Sequence, residues 1–216
     1  MLAERMNTFS GSPTSALIAK VAELRAEGKD IISLNVGEPD FGTPDYIKCG
    51  AIKAIVDNFS KYTAGNGIIE LRRLISKKLH EDNNLEYTTD EICATVGAKQ
   101  AIFNSIMALV DPGDEVLLPV PCWVSYTEMI KFAGAKPVFV DVEAETFDLD
   151  IEALEKAVTT KTKAIVICTP NNPTGAVYQK ETLEKVCQLA RENNILILAD
   201  EIYNQLDYEK QYVSIA

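Results

Sequence analysis

The chain has 216 residues, 47% of them apolar and 25% charged, with a formal net charge of −11. That length allows one large domain, or one and a half ordinary ones, around a substantial core. The acids are spread along the chain, which argues against nucleic acid or an anionic membrane surface as a partner, since nothing in such a surface draws in phosphates.

No apolar run approaches the roughly 20 residues that span a bilayer, and residues 1–10 lack the apolar centre of a secretory signal. The five cysteines (Cys49, Cys93, Cys122, Cys168, Cys187) form no Cys-x-x-Cys pair. An odd, scattered set suits thiols in a reducing cytosol better than a disulfide framework or a metal site. The single histidine, His80, lies in a charged helical stretch and reads as a solvated residue.

Taken in order, Ser15 to Glu27 places Leu17, Ile18, Val21 and Leu24 on one helical face and closes at Gly28. Ile31 to Leu34 reads as a short strand entering a turn at Gly37-Glu38-Pro39-Asp40. A helix is expected after Pro44, using Ile47, Ala51, Ile52 and Ile55. Another is expected from Ile68 to Asp82, with Ile68, Leu71, Leu74 or Ile75, and Leu79 on one side and Arg72, Arg73, Lys77 and Lys78 on the other.

From residue 91 strands and helices alternate. Expected strands are Ile92 to Val96, Glu115 to Val120, Pro137 to Val142, Lys163 to Thr169 and Ile195 to Ala199. Expected helices are Ala101 to Val110, Tyr126 to Ala133 and Glu181 to Glu192, with a further segment at Asp150 to Val158. This alternation specifies an α/β fold, a mostly parallel sheet flanked by helices.

Several residues fall where such sheets hold ligands, at the carboxyl ends of strands. Asp200 comes directly after the run Ile195 to Ala199; read alone, it either faces a ligand or simply ends a strand and caps the next segment. Asn172-Pro173-Thr174-Gly175 is a good turn sequence, and Asn172–Pro173 and Val120–Pro121 are candidates for cis peptides. Gly97-Ala98-Lys99-Gln100 stands between a strand and a helix, where free amides bind phosphate and glycine permits close approach. A structural turn is an equal reading of that segment, and it is no Gly-x-Gly-x-x-Gly fingerprint. Trp123, the sole tryptophan, either stacks on a flat ligand or fills the core.

Asn171-Asn172-Pro173-Thr174-Gly175 followed by Asp200-Glu201-Ile202-Tyr203 resembles the class I/II aminotransferases, fold-type I enzymes dependent on pyridoxal 5′-phosphate. The resemblance extends over residues 31 to 203, and its wording is nearest to the aspartate and aromatic aminotransferase branch. It implies a cofactor site in which Asp200 meets the pyridine nitrogen. Asn172 and Tyr203 would donate to the phenolic oxygen, Trp123 would stack on the ring, and the Ala98 and Lys99 amides would hold the phosphate. A charge-assisted bond at Asp200 is attractive by on the order of 5 kcal/mol before desolvation.

In Val36-Gly37-Glu38-Pro39-Asp40-Phe41 the resemblance places the Gly37 main chain on the substrate carboxylate, near Trp123 and Asn172. It sends Tyr62, in Lys61-Tyr62-Thr63, to the phosphate of a neighbouring subunit, which implies a homodimer. The Lys99 side chain would reach a distal substrate carboxylate. Substrates would be an L-amino acid, aspartate or aromatic, and a 2-oxo acid; no metal is implied. Other outcomes of the same motifs are a lyase or cyclase of this fold, or a non-catalytic fragment.

The resemblance divides the chain into an N-terminal arm with a small-domain segment, 1–45, and part of a large cofactor-binding domain, 46–216. It places the catalytic Schiff-base lysine, in a Ser-x-x-Lys setting, after the last residue, so no catalytic residue is assigned here and the small domain is incomplete. The large-domain strand order it implies is 3-2-4-5-6-7-1, of which the five strands expected here are the first five. Strands 6 and 7 would lie later, leaving the first strand without neighbours. The expectation is therefore an N-terminal portion, marginally stable and inactive by itself.

Overall fold

The computed structural model describes all residues except 1–2, 8–10, 12, 36, 38–40 and 210. The chain divides into two compact units, Gly11–Ile68 and a larger one formed by Met1–Ser10 with Ile69–Ala216.

The smaller unit holds α1 (Pro13–Ala26) and α2 (Asp45–Val56). α1 stops where the sequence indicates, with Gly28 at φ +81° in the left-handed region that a residue with a Cβ avoids. The strand expected at Ile31 to Leu34 does not form; Ile32 and Leu34 are almost fully exposed. A strand requires a partner for its N–H and C=O groups, and none pairs with this segment among the described residues. Most of the turn expected at residues 37–40 lies outside the described residues.

The larger unit opens with α3 (Ile69–Asn83), and here one expectation is reversed. Arg72 is buried, its guanidinium donating to the Thr89 carbonyl at 2.7 Å and lying 3.7 Å from the Asp90 carboxylate, whereas Leu71 and Leu74 are exposed. The inward face is Arg72, Ile75 and Leu79, an i, i+3, i+7 line on which Arg72 supplies a polar anchor. His80 is exposed, with Nδ1 2.8 Å from Glu86 Oε1.

The remaining elements are α4 (Gly97–Leu109), β1 (Glu115–Val120), α5 (Val124–Phe132), β2 (Lys136–Asp141), α6 (Ile151–Ala157), β3 (Thr162–Cys168), α7 (Lys180–Asn193) and β4 (Leu196–Asp200). The four strands are parallel and lie in the order β2-β1-β3-β4. In the numbering of the expected sheet this is 3-2-4-5. Residues 92–96 are the exception: the strand expected there does not form, because no strand of this sheet pairs with them.

Alternation along β1 and β3 builds two cores, one on each face of the sheet. Val116, Leu118, Ala164, Val166 and Cys168 pack with Ile106 of α4 and Tyr126, Met129 and Ile130 of α5. Leu117, Ile165 and Ile167 pack on the other face with Leu154 of α6 and Leu183, Val186 and Ala190 of α7. α6 is capped by Asp150, whose carboxylate accepts from the Ala153 amide at 2.9 Å, and α7 is followed by Asn194 in the left-handed region.

At the amino end of the sheet Glu115 is buried, accepting from the Thr159 hydroxyl at 2.6 Å and pairing with Lys136 at 2.9 Å. These two partners, the Thr159 bond foremost, hold its carboxyl below the usual range. A carboxyl so lowered contributes stability above the ordinary carboxylate range and loses it as the pH falls through its lowered value. Glu115→Gln is therefore expected to lower the urea midpoint at about pH 7, with the gap to the parent protein closing as the pH falls to about 2.5. An equal gap at both pH values would contradict this role.

Candidate functional site

Everything the motifs single out in the larger unit lies at one end of the sheet, where β1, β3 and β4 finish and α4 and α5 begin. Val120–Pro121 is cis, as is Asn172–Pro173, both as expected; Thr169–Pro170 is a third cis bond.

Asp200 is the last residue of β4 and is buried. Its Oδ2 accepts from the Tyr126 hydroxyl at 2.6 Å, and its Oδ1 accepts from the Ile202 amide at 3.3 Å. Beside it the Cys168 thiol is raised by burial and then by the Asp200 charge, and burial pushes the Cys122 thiol, which neighbours Cys168, up to about 11.

After β3 the chain turns through Asn171 to Gly175. Asn171 is buried and makes the turn: its side-chain oxygen accepts from the Thr174 hydroxyl at 3.0 Å and the Thr174 amide at 3.3 Å. Its amide nitrogen donates to the Tyr178 hydroxyl at 3.1 Å. Gly175, at φ +75°, closes the loop with its N–H on the Asn171 carbonyl at 2.8 Å. With Asn171 holding the loop, Asn172 is half-buried and donates from Nδ2 to the Tyr203 hydroxyl at 3.4 Å. The two donors assigned from sequence to one ligand oxygen are therefore neighbours.

α4 begins at Gly97 itself, four residues before the expected start, so Gly97-Ala98-Lys99-Gln100 forms the helix's first turn. Gly97 has φ +77°, and a Cβ there would meet nothing within 4 Å. No side chain caps the first-turn amides; the Gln100 side-chain oxygen Oε1 accepts instead from the amide of Val96, the residue before the helix, at 2.7 Å. No acceptor among the described residues takes the Ala98 and Lys99 amides, so this turn presents free N–H groups at the positive end of a 13-residue helix.

Trp123 immediately precedes α5 and is half-buried. The Lys99 ammonium lies 4.8 Å from its ring centroid, and the Tyr126 ring meets it edge-on with centroids 5.2 Å apart. Lys99, Trp123, Tyr126 and Asp200 thus form one continuous line from the mouth of the site to its base.

The family model for aminotransferases of class I and II matches residues 29–216. The chain belongs to that family. It is 44% identical over 218 residues to the aspartate aminotransferase of Bacillus sp. (strain YM-2), covering 100% of this chain and 56% of that protein. It is 45% identical over 216 residues to the aspartate/prephenate aminotransferase of Thermus thermophilus, covering 99% and 56%. A solved aspartate aminotransferase from Thermus thermophilus with maleate superposes with a TM-score of 0.96 at 44% identity, covering 100% of this chain and 56% of that one. The chain thus spans about half the length of the curated relatives it matches.

Two residues assigned to the site belong to the smaller unit. Gly37 is in an exposed irregular segment whose neighbours Val36 and Glu38 to Asp40 lie outside the described residues, and Tyr62 is fully exposed on a loop. Residues that the motifs did not single out also lie at this end of the sheet. Tyr126 was legible as the residue three after Trp123 at a helix start, a spacing that puts both on one side. Asn171 was legible as the turn-former of the Asn-Asn pair. Nothing in sequence marks Cys168. Among the described residues no cluster of three or more His, Cys, Asp or Glu side chains is arranged to hold a metal, and no helix is long and apolar enough to cross a membrane.

Proposed function

We propose that these residues form the ring-binding and phosphate-binding side of a pyridoxal 5′-phosphate site. The protein would move an amino group between an L-amino acid, aspartate or aromatic, and a 2-oxo acid. The observation that carries this reading is the buried Asp200 at the end of β4, held by donors on both oxygens at the foot of a half-buried indole.

The donor set fits that cofactor group by group. The uncapped first turn of α4 suits a phosphate dianion, with the Ala98 and Lys99 amides as its donors. Asp200 suits a protonated ring nitrogen. The Asn172 amide and Tyr203 hydroxyl suit an anionic ring oxygen, and Trp123 suits a flat heteroaromatic face. When bound, pyridoxal phosphate supplies an electron sink that weakens the bonds at the substrate Cα. Asp200 would keep the ring nitrogen protonated, Asn172 and Tyr203 would fix the ring oxygen and its charge, and the buried Cys168 thiol and Tyr126 phenol would keep water from the base of the site.

The wording of the relatives' names and the maleate in one of them support a dicarboxylic substrate. The Lys99 ammonium at the mouth supplies a charge for its distal carboxylate. Gly37, Trp123 and Asn172 would meet the substrate. We assign residues 1–45 to an arm and small-domain segment and 46–216 to part of the large domain. Exposed apolar side chains at Phe41, Tyr46, Ile55, Val56, Phe59 and Tyr62 support a homodimer in which Tyr62 reaches the partner's phosphate site. Five free cysteines suit the cytosol.

The test is to titrate the full-length apoprotein with pyridoxal 5′-phosphate and to follow amino transfer to 2-oxoglutarate from aspartate and from phenylalanine. Saturable binding and transfer, faster from aspartate, are expected. Absence of saturable binding would overturn the reading.

A further inference from the structure

The shortest buried bond between two side chains at this end of the sheet involves a residue that no motif names. Tyr126 is 1% exposed, and its hydroxyl donates to Asp200 Oδ2 at 2.6 Å across 74 residues of sequence, tying α5 to the end of β4. Burial, then the nearby Cys168 and Asp200, pushes this phenol far above its ordinary range, so it remains a neutral donor. The same ring stands edge-on to Trp123, its plane at 88° to the indole. One side chain therefore touches both the carboxylate and the stacking ring.

We propose that Tyr126 is a positioning residue: it sets the direction in which Asp200 presents its carboxylate to a ligand N–H and holds the Trp123 ring in register with it. This rests on the reading of Asp200 as partner of a ring nitrogen. The terminal torsion of an aspartate is soft and two-fold, so its own rotamer does not fix where its lone pairs point. In this site the direction is fixed by the Tyr126 hydroxyl and, at a longer 3.3 Å, by the Ile202 amide. A carboxylate has about four lone-pair positions, so two donors leave room for a third in a defined direction. Without the hydroxyl only the longer contact remains. The loss should then be felt by ligands that offer an N–H to Asp200 and not by ligands of the same shape that lack it.

The experiment compares pyridoxal 5′-phosphate with its 1-deaza analogue, in which a C–H replaces the ring nitrogen. Binding to the full-length apoprotein is measured by equilibrium dialysis for the parent protein, Tyr126→Phe, Asp200→Asn and the double variant. Tyr126→Phe keeps the ring and its edge contact with Trp123. The preference for the natural cofactor over the analogue is expected to fall about tenfold in Tyr126→Phe, the size of losing one charge-assisted hydrogen bond. It should fall at least as far in Asp200→Asn and no further in the double variant.

Equal weakening of both ligands by Tyr126→Phe would make Tyr126 a packing residue and overturn the proposal, as would no change in either. If Asp200→Asn leaves the preference intact, the reading of Asp200 itself fails, and the positioning role falls with it. An altered preference in Asp200→Asn with none in Tyr126→Phe overturns the positioning role alone.

Discussion

Asp200→Asn is expected to lower kcat/KM for amino transfer by about 10²- to 10³-fold, the scale seen when one preorganised electrostatic partner is removed from a buried site. The substitution keeps the shape of the side chain and one oxygen able to accept from the Tyr126 hydroxyl, so the local packing has little reason to change. What disappears is the charge. At about 3 Å and an effective dielectric near 20, that charge is worth on the order of 5 kcal/mol of attraction to a protonated ring nitrogen, before desolvation is subtracted. The net cost should therefore fall on catalysis and cofactor affinity, while thermal stability moves by no more than about 1–2 kcal/mol. Steady-state kinetics alongside a thermal melt separates the two. Activity within fivefold of the parent protein, with an unchanged melt, would remove Asp200 from the site.

The parts of this molecule legible in its sequence are those whose causes are local. Glu115 to Val120 is a strand with the boundaries its apolar run indicates, and Ile195 to Ala199 is displaced by a single residue. Both are bounded by turn residues, and each follows a helix in the chain. Arg72 reads as an outward residue by its charge, whereas its position on the helix turns it inward. It lies on the same line as Ile75 and Leu79, and the Thr89 carbonyl makes burial of a guanidinium tolerable there. Ile31 to Leu34 and Ile92 to Val96 have the composition of strands, but a strand is a property of two segments, and among the described residues no partner pairs with either one.

The site divides in the same way. Asn172, Asp200 and Tyr203 stand out because each comes after a recognisable strand. The Tyr126–Asp200 bond, bridging 74 residues, arises only when α5 packs on the sheet that β4 joins, and no spacing rule reaches that far.

That face matters to a second large effect. Leu117 and Leu118 are adjacent, both fully buried, and point to opposite sides of β1. Leu118→Ala and Leu117→Ala are each expected to cost about 2–5 kcal/mol in urea unfolding, from lost apolar transfer and the cavity left behind. Their consequences for the site should differ. Leu118 belongs to the core that contains Tyr126 and Cys168 and on which Trp123 and Tyr203 pack, so relaxation into its cavity displaces the groups proposed to stack on and donate to the cofactor. Leu117 belongs to the core under α6 and α7, which includes Tyr178, the residue that anchors Asn171. Measured where both variants remain folded, pyridoxal phosphate affinity should fall several-fold more in Leu118→Ala than in Leu117→Ala. Equal losses would mean that global stability, rather than the α4–α5 face of the sheet, sets the geometry of the site.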